Sequence, residues 1–287
     1  MIDASSELRW SVVMRRFLLA AVMYGAASVA QAADMPDLPI LRGSFTEGGS
    51  SSTVNWQGGY IGGHAAYGTS NMNFANSTRN ITARLLDGTE MENVQQISEW
   101  PIMGKVSAHG EGFGGFVGYN SQWTDVVVGL ELNYTHGKFG GSQTGSMSRF
   151  FTLPSGSTTG VTYEGTARMN ISDMGTLRVR GGYAYGSFLP YMFAGIALGQ
   201  ADIIRTARVF GTQVNPANPP PFNNVPFDVS ASDGQYSHLI YGYSFGLGTE
   251  IMLISNLFMR AEWEYVRFTS SVDTSINTVR AGLGYKF

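Results

Sequence analysis

The chain has no cysteine. Disulfides, thiolate metal sites and a lipid-modified amino-terminal cysteine are therefore excluded, and with them the lipoprotein class. Charge is scarce too: Asp, Glu, Lys and Arg make up 14% of 287 residues, against about 25% in an average soluble protein. The net charge of -3 gives no basic footprint, so no nucleic-acid partner is expected. Past the amino terminus, no apolar run approaches the roughly 20 residues that a membrane helix needs. Glycine is abundant, with 37 residues, and aromatic side chains make up 13%. Such a composition fits strands of which only one face is apolar.

The stretch from Leu257 to Phe287 shows that pattern most plainly. Leu257, Met259, Ala261, Trp263 and Tyr265 alternate with Phe258, Arg260, Glu262 and Glu264. After Thr269–Thr274, Val279, Ala281, Leu283, Tyr285 and Phe287 alternate with Thr278, Arg280, Gly282, Gly284 and Lys286. A period of two predicts strands with one apolar and one polar face. Full charges on the polar face suit a strand whose outside meets lipid and whose inside meets water or other charges. A soluble eight-stranded barrel would have the opposite polarity and would bury these charges in an apolar interior.

At the amino terminus, Met14-Arg15-Arg16 precedes an apolar run from Phe17 to Ala30 and then Ala30-Gln31-Ala32. A basic segment, an apolar segment and an A-x-A site predict a secretory signal peptide over 1–32. Residues 1–13 carry Asp3, Glu7 and Arg9 and are expected to be a misread upstream start. Residues 33–55, with Pro36, Pro39 and Gly48-Gly49-Ser50-Ser51-Ser52, are expected to form a flexible periplasmic leader. The barrel is assigned to 56–287.

Further strands are predicted at Trp56–Ser70, Gly110–Gln122, Val126–Thr135, about Ala167–Tyr185, Leu189 to about Ile203, and about Tyr236–Glu250. Short turns are expected at Trp123-Thr124-Asp125, Gly186-Ser187-Phe188 and around Leu253–Asn256. Long polar loops are expected at Asn71–His109, His136–Thr166 and Ile204–Gln235, the last with Pro216, Pro219, Pro220, Pro221 and Pro226. The prediction is an all-β fold, an eight-stranded antiparallel up-and-down transmembrane β-barrel. Alternating long and short connections put both termini on the periplasmic side of the outer membrane of a Gram-negative cell.

Several segments together resemble the small alphaproteobacterial outer-membrane β-barrel proteins, the porin-family or OmpA-like barrels. They are Trp56-Gln57-Gly58-Gly59-Tyr60-Ile61-Gly62-Gly63, Gly115-Phe116-Val117-Gly118-Tyr119-Asn120 and Gly175-Thr176-Leu177-Arg178-Val179-Arg180-Gly181-Gly182-Tyr183-Ala184-Tyr185, with Leu189-Pro190-Tyr191 and Arg260-Ala261-Glu262-Trp263-Glu264-Tyr265. The resemblance implies an abundant, surface-exposed eight-stranded barrel. It also implies one of the roles ascribed to members: structural, immunogenic, porin-like or haem-binding. In addition, it implies that Leu283, Tyr285 and Phe287 form the signal read by the outer-membrane assembly machinery. With no peptidoglycan-binding domain expected after Phe287, the two-domain OmpA role is not.

Glu131, Arg178, Arg180, Arg260, Glu262, Glu264 and Arg280 fall on inward parities near one depth and are expected to form one connected charge network in the lumen. An eight-stranded barrel is just wide enough to be filled by side chains, so a charge-filled structural barrel is the leading function. A small diffusion channel and a loop-based receptor for an unknown small molecule or haem, captured by His109 or His136, are the alternatives. His64, His109, His136 and His238 show no metal spacing, and Ser237 beside His238 faces the wrong way for joint catalysis. No enzyme activity and no cofactor are expected; the expected partners are outer-membrane lipids and the assembly machinery. Trp123, Tyr134, Tyr183, Phe188, Trp263, Phe268 and Phe287 are assigned to interfacial aromatic girdles.

Overall fold

A computed structural model describes residues 54–270 and 272–287. The expected signal peptide, the misread start and the leader up to residue 53 lie outside the described residues. The strands are β1 (Gly58–Asn73), β2 (Lys105–Trp123), β3 (Val126–Thr152), β4 (Thr158–Tyr183), β5 (Phe188–Val214), β6 (Asn224–Ile254), β7 (Leu257–Thr269) and β8 (Asp273–Lys286). Each pairs antiparallel with its sequence neighbours, and β8 returns to β1 to close an eight-stranded up-and-down barrel. Closure leaves no unpaired edge within the ring, the condition for a sheet to cross a bilayer.

Period-two alternation sorts the side chains along every strand. Val126, Val128, Leu130, Leu132 and Tyr134 of β3 are exposed, as are Leu177, Val179, Ile196, Leu198, Tyr243, Phe245, Leu247, Val279, Leu283 and Tyr285 on other strands. From Val126 to Tyr134 the strand rises about 26 Å at ~3.3 Å per residue. At a tilt of about 40° that is about 20 Å of height, close to the apolar band of an outer-membrane barrel. Trp123, Tyr134, Tyr183, Phe188, Trp263 and Phe287 are also outward and exposed. Phe268 is not a girdle residue: it shares the even parity of Glu262 and Glu264 in β7 and is fully buried inside.

Two of the expected loops are strands. His136–Thr166 holds the upper parts of β3 and β4, joined by a short turn, and Ile204–Gln235 holds the upper parts of β5 and β6. The register shifts between His136 and Phe139, Ile171 and Asp173, and Ala201 and Ile203, along one line across four strands. Each bulge bends its strand, and in β4 the inward set changes from Met174, Thr176, Arg178 and Arg180 to Ile171, Met169 and Ala167. Above that line most outward residues are polar, with Ser148 paired to Thr162 and Thr206 to Ser232 and Phe150 an exposed exception. The four strands thus run past the apolar band as a tall curved wall.

The third expected loop, Asn71–His109, contains the end of β1, the start of β2 and, between them, helices α1 (Arg79–Leu85) and α2 (Glu90–Gln95) and a 3-10 turn (Ile97–Glu99). Thr89 caps α2, its hydroxyl accepting from the Glu92 N–H at 3.3 Å. Ile81, Leu86, Ile97 and Trp100 pack against Val161, Tyr163, Ala207 and Val209 on the concave side of the wall.

Glycines set the bore. Five inward aromatics each lie over a glycine directly across the ladder: Tyr60 over Gly118, Phe116 over Gly62, Tyr191 over Gly248, Phe193 over Gly246 and Phe258 over Gly284. A Cβ at any of these glycines would collide with the ring. Gly118→Val should therefore abolish most of the heat-resistant folded band on a gel after refolding into detergent. Gly175→Ala, whose Cβ meets nothing within 4 Å, should refold like the native protein; similar loss in both would refute the ring-over-glycine packing.

Candidate functional site: the filled lumen

All seven charged residues singled out in the sequence are buried inside the barrel, at most 4% exposed, and Glu250 of β6 joins them. Glu131 is the hub. It accepts from Arg178 Nε at 2.9 Å and Nη2 at 2.5 Å, from Arg260 Nη1 at 3.1 Å and Nη2 at 2.7 Å, and from Arg180 Nη1 at 3.3 Å. Glu250 accepts from Arg180 Nη1 at 2.8 Å and from Arg260 Nε at 2.9 Å. Glu262 accepts from Arg178 Nη2 at 3.0 Å and lies 3.5 Å from Arg260 Nη1. Glu264 lies 3.4 Å from Arg178 Nη1 and pairs with Arg280, whose Nη1 donates to Asn133 Oδ1 at 3.0 Å. Four carboxylates and four guanidiniums form one connected cluster of zero formal charge.

Phenols and aromatic faces complete it. Tyr60 donates to Glu131 Oε2 at 2.7 Å, and Tyr191 donates to Glu262 Oε1 at 2.6 Å. The guanidinium carbons of Arg178, Arg180 and Arg260 stand 4.1, 3.9 and 3.7 Å from the ring centres of Phe193, Tyr191 and Phe116. Each cation thus meets carboxylates at its edge and a π face on its plane, contacts that offset desolvation.

The charges are not the only residues inside the barrel. Toward the termini, Trp56, Tyr60, Phe116, Val127, Leu189, Phe193, Met252 and Phe258 make an apolar layer, with Trp56 edge-on to Phe258 at 6.3 Å. Toward the loops, Met72, Phe74, Phe139, Met169, Ile171, Val266, Phe268 and Ile276 make a second. His64 sits inside, its Nε2 3.0 Å from Thr135 Oγ1.

The other histidines are not in long loops. His109 lies on β2, stacked with Tyr67 at 6.0 Å, and His136 on β3, its Nδ1 2.8 Å from Asp173 Oδ1. His238 is exposed beside the β6 bulge, next to Ser237, whose N–H donates to Asp202. Leu283, Tyr285 and Phe287 all point outward, and the Phe287 N–H donates to Gly59 O at 2.8 Å across the closing seam.

An apolar outer belt around a closed ring of eight strands defines a transmembrane barrel. Residues 17–287 match the outer membrane protein beta-barrel domain, and the chain belongs to that family of outer-membrane proteins. The 25 kDa outer-membrane immunogenic protein of Brucella ovis is 26% identical over 174 residues, 61% of this chain and 62% of that protein. The match therefore spans a little over three fifths of the curated relative's length. Among solved structures, the attachment invasion locus protein Ail of Yersinia pestis is 12% identical with a TM-score of 0.35, covering 80% of this chain and 99% of that one. The outer membrane protein OprG of Pseudomonas aeruginosa has the same identity and TM-score, covering 80% and 96%.

Breaking a buried pair leaves a charge uncompensated and costs about 3–5 kcal/mol. Glu131→Ala, which strips a partner from three arginines, should lower the unfolding free energy by that amount, read as a lower urea midpoint at unchanged slope. Glu164→Ala, at an exposed pair 3.8 Å from Arg208, should cost about 0–1 kcal/mol. Equal midpoints for the two variants would show that the hub contributes nothing.

Proposed function

We propose that this protein is a structural, surface-presenting outer-membrane barrel with a closed lumen, without catalytic activity. The observation that carries this is the stack of a neutral ionic layer between two apolar layers inside the barrel. The extended upper parts of β3–β6 and the helical insertion all lie at the end away from the termini, which supports a periplasmic position for both termini. The tall β3–β6 wall and its helical cap then stand outside the cell, the arrangement of a protein whose role is met by its outer surface. A diffusion channel would need a continuous polar path, and the two apolar layers disfavour it.

Planar-bilayer recording tests the reading directly. The native protein should show only rare, small openings. Glu262→Ala should be less stable in urea yet equally closed, because the apolar layers remain. Steady, large, ion-selective currents from native protein would replace this reading with the channel.

We also propose that Leu283, Tyr285 and Phe287 are recognised by the assembly machinery, since they project from the last strand at alternate positions on the lipid side. Phe287→Asp should reduce the folded outer-membrane fraction several-fold. Phe113→Ala, the loss of an exposed aromatic at the opposite rim, should not. A charge close to the interface costs only about 0–1 kcal/mol by itself, so a large loss of folded protein measures recognition. Equal fractions for the two variants would remove it.

A further inference from the structure

The outer wall carries a feature that the closed bore does not use, where β2 and β3 separate. They pair from Trp123↔Val126 up to Glu111↔Lys138 and no further, so Lys105–Gly110 pairs with β1 alone. The parting opens a hollow of about 300 Å³ lined by His109, Lys138, Gly140, Gly141 and Arg168. A second hollow, of about 420 Å³, is lined by Ala65, Tyr67, Phe113 and His136 together with the same Lys138. The two therefore meet at Lys138.

Their chemistry differs in the order that a lipid requires. Tyr67 and Phe113 are outward and more than half exposed, and Phe113 pairs with His136 beside Tyr134 at the top of the apolar belt. The upper hollow begins where the outward surface turns polar. Of the other arginines on the wall, Arg208 pairs with Asp228 and the mostly buried Arg205 with Asp233, while the exposed Arg149 has no ion pair among the described residues and lies over the Trp100 ring. Lys138 and Arg168 have no ion-pair partner among the described residues. Glu111, which also lines the second hollow, stands across the ladder from Lys138 without closing a pair, and Asp173 is engaged by His136, Tyr134 and Ser172. Two free cations above an aromatic groove, at the level of the headgroups, match a phosphate above acyl chains.

We propose that this surface binds a phosphate-bearing lipid of the outer leaflet, with its acyl chain along Ala65, Tyr67 and Phe113 and its phosphate on Lys138 and Arg168. The site is independent of whether the bore conducts. Only the naming of the leaflet depends on the proposed orientation of the termini.

Native mass spectrometry of the full folded barrel in detergent tests it, since it weighs only intact protein with whatever remains bound. Lipid A carrying its phosphates is the probe, its dephosphorylated form the first control and inorganic phosphate the second. Native protein should retain phosphorylated lipid A at least about tenfold better than the dephosphorylated form, the minimum expected from two charge-assisted contacts. The double variant Lys138→Gln with Arg168→Gln should lose that preference, whereas Arg208→Gln should keep it. Phe113→Ser should weaken both lipids equally. Equal retention of the two lipids, an unchanged preference in the double variant, or inorganic phosphate binding as tightly as the lipid would each overturn the proposal.

Discussion

Closure of the sheet is the constraint on which the rest depends. Inside a bilayer every backbone N–H and C=O must find its partner in the protein, so β8 has to meet β1, and eight strands then fix a bore just wide enough to fill with side chains. The outer face must be apolar, and alternation sends every second residue inward. A chain that puts polar residues on that parity acquires a buried polar interior and must make it pair with itself. The pairing of Glu131, Glu250, Glu262 and Glu264 with four arginines meets this demand at zero net charge. An excess of either sign would leave a desolvated ion costing several kcal/mol.

Parity made much of this legible in the sequence. Eight strands, their direction and the inward set of seven charges all follow from counting every second residue. Glu250 was harder, because it sits beside the β6–β7 turn, where depth cannot be counted from the strand end without the pairing. In the register it faces Arg260. Tyr60 and Tyr191 escape a parity count of charges, because a phenol shows itself as a lumen partner only once the glycine opposite it is known. Phe268 shows the converse: proximity to a strand end suggests a girdle aromatic, but its even number places it inside with Glu264.

The tall wall was hidden by two effects that reinforce each other. Bulges near His136, Ser172 and Tyr236 break the count of two, and above them the outward residues lose the lipid-facing apolar signal. Alternation between small polar residues and buried Ala167, Met169 and Val209 then resembles a polar loop. The helical segment Arg79–Glu99 was equally opaque, because its apolar residues have no partner in sequence. Their partners are Val161, Tyr163, Ala207 and Val209, which only the wall brings over.

Filling the bore moves the protein's possibilities to its outside. In the proposed reading, one ionic and two apolar layers close the same narrow space, so removing one would leave the others in place. What varies around the perimeter is how far neighbouring strands stay together. β3 to β6 continue as a wall, whereas β2 leaves β3 at Glu111 and β7 ends at Thr269. A sheet closed below and open above exposes strand edges and gaps only beyond the apolar belt, where water or headgroups can satisfy the backbone. Those partings, and not the lumen, are where a ligand finds both room and unpaired charge.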